Sequence, residues 1–281
     1  MQSGRIERLP NVLGVEFWTV RDWHRESSLL QEAFTALVVL GPATGGVHLA
    51  QRGKQRFLPP GAVQLAEPGE VQHIAARGEA ASFFIVWWQP GVLEATTAEL
   101  GLGAPVRFGD PECASAELSR SLQTLQQALE RREPTHEVEP VLAGVTRCLL
   151  GVTVAPMSGS PRRLNPNVDR ALERLRDGFA EGISLDELAR ETRLSKFHFA
   201  RCFREAVGIP PHQYQHLLRL QAARRHLERG VSVEESALLS GFADGPHLSR
   251  SFRRWLGVSP GSWARGATSH AGTQETRSLS T

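Results

Sequence analysis

A chain of 281 residues with 41% apolar and 22% charged residues can bury at least one full core without disulfides, and these ordinary values exclude a disordered, collagen-like or membrane-embedded protein. The formal net charge of +2 names no partner by itself, but it is unevenly spread: residues 1–160 carry 13 Lys+Arg against 17 Asp+Glu, and residues 161–265 carry 18 against 12. The basic C-terminal third is compatible with DNA binding without requiring it, because a solvated helical surface can carry the same excess.

No run approaches the roughly twenty apolar residues of a membrane helix, and the opening MQSGRIERLP lacks the apolar stretch of a signal peptide. The chain is therefore expected to be soluble and cytoplasmic, with no membrane partner. Cys113, Cys148 and Cys202 are scattered and odd in number, which argues against a disulfide framework or a clustered thiolate site.

Short strands are expected at Thr35–Leu40, Gly46–Gln51, Gln55–Leu58, Ala62–Ala66, Val71–Ala75 and Ala81–Trp88. Gly41-Pro42, Gly53-Lys54, Pro59-Pro60-Gly61 and Pro68-Gly69 punctuate them as turns. That pattern reads as a small β-barrel or sandwich. From about residue 115 the period becomes helical: Leu118, Leu122, Leu125 and Leu129 share one stripe, and Val138, Val141, Leu142, Val145 and Leu149 share another, with a break near Glu133-Pro134. The leucine stripe either packs on the barrel or forms a seam between two copies. Residues 151–166, rich in breakers and small polar residues, read as a linker. Residues 167–265 are helical in pattern, and the segment 266–281 reads as a disordered tail.

Within the helical third one motif occurs twice. Ser184-Leu-Asp-Glu187 and Ser232-Val-Glu-Glu235 are both S-x-x-E capping boxes, each opening a short helix with Ala189 or Ala237 five residues on. Each is followed by a turn and a second helix, and the second helices align at a spacing of 49. Ser195 matches Asp244 as N-cap, Arg201 matches Arg250, Phe203 matches Phe252, Gly208 matches Gly257, Pro211 matches Pro260, and Tyr214 matches Trp263.

Short helix, turn and second helix is the helix-turn-helix arrangement, whose second helix enters the major groove. A helical wheel places Phe199, Cys202, Phe203 and Ala206 inward on the first, with Phe197, Ala200, Arg201 and Arg204 outward. On the second, Leu248, Ser251, Phe252 and Trp255 point inward, and Pro246, Ser249, Arg250 and Arg253 outward. An arginine stands at the same outward position in both, where a guanidinium can pair with guanine or clamp a phosphate. One such helix would be no more than a solvated arginine face. Two with the same cap, core and arginine register favour DNA recognition. Residues 212–229 form a long amphipathic helix between the two units.

The run from Ile183 to Trp263 resembles the tandem helix-turn-helix domain of the AraC/XylS family of bacterial transcription regulators, including Gly241-Phe242 and Gly257-Val-Ser-Pro260. The resemblance implies base-reading helices at Lys196–Val207 and Pro246–Leu256, and a DNA-binding set of Lys196, Phe197, Ala200, Arg201, Arg204, Gly245, Pro246, His247, Ser249, Arg250 and Arg253. Two residues depart from the family pattern. Arg193 stands at a usual turn glycine, and Ser236 at a usual aliphatic. Residues 20–90 resemble, less specifically, the same family's cupin-like sensor domain.

The fold class expected is α+β: a cupin-like effector-binding and dimerisation domain over 1–150, the linker, and an all-α DNA-binding domain over 167–265. The resemblance implies double-stranded DNA, a small-molecule effector, a second copy and RNA polymerase as partners, and activation or repression as the mode of action, and it tips the leucine stripe toward a dimer seam. His24, His48, Arg56, Gln64, His73 and Trp88 are the effector-binding candidates. The competing class is a metal-dependent cupin enzyme with a helical interaction module. The His-x-His pair of such enzymes is absent, since Asp22 precedes His24 and Gly46 precedes His48 at that spacing. His212 and His216 lack the glutamate of a zinc-protease helix, and Gly101-Leu-Gly103 lacks the third glycine of a phosphate loop. No catalytic residue, metal or cofactor is expected.

Overall fold

The computed structural model describes residues 5–24, 26–41, 46–76, 79–102, 106–108, 112–113, 115–153 and 165–271. The chain divides into two compact units. Met1–Glu26, Gln31–Ala50 and Gln55–Arg162 form the first, and Ser27–Leu30, Gln51–Lys54 and Arg163–Thr281 the second.

Among the described residues ten strands precede the helical region: β1 (Arg5–Val12), β2 (Val15–Trp23), β3 (Glu26–Leu30), β4 (Phe34–Leu40), β5 (Val47–Gln51), β6 (Lys54–Leu58), β7 (Val63–Ala66), β8 (Val71–Ala75), β9 (Ala81–Trp88) and, after helix α1 (Val92–Glu99), β10 (Glu112–Cys113). They form two antiparallel sheets, β1-β2-β9-β4-β7-β10 and β3-β8-β5-β6, rather than one closed barrel. The strands expected from residue 35 to 88 are present within a residue or two at each end. Strands β1, β2 and β3 were not legible, because runs such as RIERLPNV and VEFWTVRDW mix charges and a proline with apolar residues.

Alternation along the strands gives the six-stranded sheet two different faces. Phe17, Phe34, Ala36, Val38, Val63, Leu65, Phe84, Val86 and Trp88 lie in one hydrophobic core with residues of α2 (Ala116–Glu130) and α3 (Thr135–Thr153). Phe17 and Phe84, on neighbouring strands, stack with ring centroids 6.2 Å apart.

The leucine stripe belongs to this core. Leu118, Leu122 and Leu125 are 0% exposed and Leu129 is 3% exposed within a single chain, so the expected dimer seam is corrected. One apolar face of the sheet needs a cover, and α2 supplies it.

The helices of the second unit are α4 (Pro166–Asp177), α5 (Leu185–Glu191), α6 (Lys196–Val207), α7 (Pro211–Glu228), α8 (Val233–Leu239), α9 (Gly245–Leu256) and α10 (Pro260–Ala271). Residues 154–164, most of the expected linker, lie outside the described residues. Helix α10 runs on to Ala271, into the segment expected as a disordered tail; residues 272–281 lie outside the described ones.

Candidate nucleic-acid interface

The two repeats read from the sequence are superimposable in their local chemistry. The Ser184 hydroxyl accepts from the Glu187 amide at 3.2 Å while Glu187 Oε2 accepts from the Ser184 amide at 2.7 Å, a complete capping box at the start of α5. The Ser184 amide, and then its hydroxyl, hold the Glu187 carboxyl below the ordinary glutamate range. At α8 the Ser232 hydroxyl likewise accepts from the Glu235 amide at 3.2 Å. The neighbouring Glu234 turns to the second recognition helix instead, its Oε2 accepting from the Gly245 amide at 3.0 Å.

The turn between helices is also duplicated. The Leu194 amide donates to Ala189 O at 3.1 Å, and the Phe242 amide to Ala237 O at 2.9 Å. The bend residue in each case has positive φ, Arg193 at 55° and Gly241 at 79°. Arg193 therefore adopts the left-handed conformation that its twin meets with glycine, so the first turn carries backbone strain.

Helices α6 and α9 are capped alike. Ser195 Oγ accepts from the His198 amide at 3.4 Å, and Asp244 Oδ1 from the His247 amide at 2.6 Å. Gly208 and Gly257 end them in left-handed conformation. Phe199 and Phe203 of α6, and Leu248 and Phe252 of α9, are fully buried. Phe203 meets Tyr214 edge-on at 5.9 Å and Phe252 meets Trp263 edge-on at 5.7 Å, so even the aromatic pair behind each recognition helix is repeated.

What α6 and α9 leave outside is mostly cationic. Lys196, Phe197, Arg201 and Arg204 are exposed and Ala200 is half-buried; Pro246, Arg250 and Arg253 are exposed, and His247 and Ser249 are half-buried. Lys196 Nζ bonds Asp186 Oδ2 at 2.9 Å, which ties α6 to α5. Arg201 lies 3.4 Å from His198 Nδ1 and 4.0 Å from Glu205 on its own helix. Gly245 departs from the expected DNA-facing set. It is buried, and a Cβ there would come within 2.4 Å of Glu234.

Helix α7 joins the two motifs. Gln215 Nε2 donates to Glu181 O at 2.6 Å, and Arg219 Nε to Phe179 O at 2.7 Å, which anchors the loop before α5. His216 packs against Phe242 at 5.6 Å and Trp255 at 5.7 Å, and Phe242 meets His247 at 5.3 Å. Burial, then the positive fields of His247, Arg219, Arg254 and His212, push the His216 imidazole down to about 4. The sequence shows this histidine only at zinc-like spacing with His212; its role as a neutral packing group depends on partners from α9.

Ser236 is fully buried, its hydroxyl 3.4 Å from Val231 O, while Leu238 and Leu239 of the same helix are 60% and 51% exposed.

In the first unit the effector candidates do not form one group. His24 and His48 are exposed, His48 lying 5.2 Å from the Phe57 ring; Arg56 is half-buried; His73 is half-buried with Nε2 3.9 Å from Glu26. Gln64 is fully buried. Trp88 is corrected to a core residue, 0% exposed with its indole N–H donating to Thr146 Oγ1 at 3.1 Å. The other tryptophan of the pair, Trp87, takes part in a polar chain that the sequence did not single out. Its Nε1 and Thr35 Oγ1 donate to Gln31 Oε1 at 2.9 and 3.1 Å, and Gln31 Nε2 donates to Gln72 Oε1 at 2.7 Å. Gln31, Thr35 and Gln72 are each at most 3% exposed. Two glutamines in separate short segments carry no spacing signal. Among the described residues, no group of three or more His, Cys, Asp or Glu could hold a metal ion.

A helix-turn-helix built twice, with an outward arginine in the same register of both second helices, defines a DNA-binding protein. Residues 188–266 match the helix-turn-helix domain family. The chain is 25% identical over 207 residues to the uncharacterized HTH-type transcriptional regulator YbfI of Bacillus subtilis, covering 73% of this chain and 75% of the relative. It is 32% identical over 147 residues to the HTH-type transcriptional activator RhaS of Escherichia fergusonii, covering 50% and 53%. The alignment thus spans three quarters of YbfI but about half of RhaS. The fold is similar to that of apo ToxT from Vibrio cholerae, with a TM-score of 0.54 at 12% identity over 92% of this chain and 99% of that one. The chain carries a DNA-binding helix-turn-helix domain of the AraC type and is similar to HTH-type transcriptional regulators.

Proposed function

We propose that this regulator reads a specific duplex sequence through α6 and α9 and alters transcription when a small effector binds the β-sheet unit. The observation that carries the reading is the duplicated recognition helix, with Arg201 and Arg250 exposed at matching positions over Phe203 and Phe252. Lys196, Phe197, Ala200, Arg201 and Arg204 contact one major groove, and Pro246, His247, Ser249, Arg250 and Arg253 contact the next. This requires the two helices to stand about 34 Å apart. Residues 167–265 act as the DNA-binding domain and 151–166 as its linker.

The effector site is assigned to the face of the six-stranded sheet opposite the one that α2 and α3 cover. What supports this is the buried chain of Trp87, Gln31, Thr35 and Gln72, which offers hydrogen-bonding atoms among apolar side chains. The effector favours one of two placements of the DNA-binding domains, and so changes occupancy by population shift. Pairing of two copies, with RNA polymerase as a further partner, completes the proposal; the surface used for pairing is not the leucine stripe.

Fluorescence anisotropy of the full chain on its own upstream DNA and on a scrambled duplex, across a salt series, tests the reading. Preferential binding with a steep salt slope is expected. Equal binding to both duplexes, or none at low salt, would overturn it.

A further inference from the structure

We propose that the groove between α2 and α3 binds an anionic peptide disulfide of the glutathione type and takes half of it onto Cys148 as a mixed disulfide. The inference stands apart from the DNA-binding reading above.

The groove follows from helical spacing. Glu117 and Ser121 stand one turn apart on α2, and Gly144 and Cys148 one turn apart on α3, so each pair shares a face of its helix. With Arg120 and Arg147 they line a groove of about 620 Å³, a size that holds a small ligand. A Cβ at Gly144 would meet nothing within 4 Å, which leaves space over the turn of α3 that precedes Cys148. Cys148 itself is half-buried and is a thiol, not half of a disulfide.

The charges select the occupant. Glu117, Arg120 and Arg147 are exposed, and among the described residues none of the three takes part in an ion pair. One carboxylate and two guanidinium groups around one groove complement a molecule with one ammonium and two carboxylates. Each half of glutathione disulfide carries that set of charges around a central sulfur, and the groove adds the thiol that exchanges with it.

The step is thiol–disulfide exchange. Cys148 gives up its proton and its Sγ attacks one sulfur of the disulfide; a new S–S bond forms as the old one breaks, and the departing thiolate takes the proton. Cys148 is oxidised and the released half is reduced, so the disulfide is the only oxidant required. The adduct places a redox-dependent group on the two helices that cover the sheet core.

The test uses the full-length chain and three disulfides that differ in charge: glutathione disulfide, which is anionic, uncharged hydroxyethyl disulfide and cationic cystamine. Mass spectrometry of the chain and its peptides reads the rate of adduct formation at Cys148. Each rate is divided by that of the same disulfide with N-acetylcysteine amide, which removes differences in intrinsic reactivity. At low ionic strength glutathione disulfide should be favoured over the uncharged reagent by about tenfold or more, and cystamine disfavoured. Salt should shrink that preference. The double variant Arg120→Gln, Arg147→Gln should bring the normalised rates within about twofold of each other, and Arg120→Lys, Arg147→Lys should retain the order. Both arginines are exposed, so the variants keep the fold, which circular dichroism verifies. The preference at Cys202, read in the same digest, should not change, which separates the charge of the groove from that of the whole chain. No adduct at Cys148, equal normalised rates for the three disulfides, or a preference that survives the glutamine variant would overturn the inference and leave DNA binding untouched.

Discussion

Gly241→Ala should loosen the second helix-turn-helix selectively. A Cβ at this position would lie 2.4 Å from the carbonyl oxygen of Ala180, 2.8 Å from its Cα and 3.0 Å from its carbonyl carbon, all of them backbone atoms. Relief to the shortest tolerable contact demands a shift of about 0.6 Å between the α8–α9 turn and the loop before α5, which as overpacking costs on the order of 1–3 kcal/mol. The φ of 79° adds about 1 kcal/mol for any residue with a Cβ. The sum, about 2–4 kcal/mol, corresponds to amide exchange roughly 30- to 1000-fold faster.

Hydrogen exchange with mass spectrometry on the intact chain reads this peptide by peptide, which avoids treating a two-unit protein as a single transition. Protection should fall over Val233–Leu256 and hold in α2 and α3. The twin substitution is the control: Arg193 already carries a Cβ at φ 55°, so Arg193→Gly should change protection of α5 and α6 by less than about 1 kcal/mol. Unchanged exchange in Gly241→Ala would refute the reasoning, because it would mean that the close approach to Ala180 does not exist in solution.

Arg201→Ala should lose about 1–3 kcal/mol on the preferred duplex and relax preference at one base pair, measured by anisotropy; uniform weakening on all sequences would make Arg201 a phosphate clamp instead. Leu122→Ala should destabilise the first unit by about 2–5 kcal/mol without changing the sedimentation profile, since this leucine is core; a change of oligomeric state at unaltered stability would restore the seam. The folded-state pKa of His216, about 4, lies below the ordinary histidine value of 6.5, so between these values the unfolded chain binds a proton that the folded one refuses. Stability of the helical unit should therefore fall as pH drops from about 6.5 toward 4, with no contribution from this group above 6.5. His216→Phe should flatten that slope in thermal melts, and an identical slope in the variant would dismiss the assignment.

Much of the DNA-binding half was legible because its signals are local. Serine and aspartate caps, terminal glycines and i, i+4 apolar pairs act within one helix, and their recurrence after 49 residues exposed the repeat. The inward and outward faces of α6 and α9 followed from the wheel; Gly245, which the family resemblance put in the DNA-binding set, is covered by the Glu234 carboxylate from another helix. The sheet unit was less legible. Whether Leu118 to Leu129 covers a sheet or a second copy depends on which face of that sheet is bare, and Trp87 and Trp88 differ only in which side of the strand each occupies. Gln31 and Gln72 find each other across 41 positions of chain, a pairing no period records.

Helix α7 has a mechanical consequence. Its Tyr214 grips the core of one recognition helix and its His216, two residues on, the aromatic cluster of the other, so both grips sit on the same turn of one helix. The two readers are thereby set like the jaws of a caliper locked at one gauge. Inserting one base pair between the half-sites rotates the second by about 35°, and a rigid rod offers no joint at which to follow it. A change of DNA contact that keeps these packing contacts has to move the two recognition helices together.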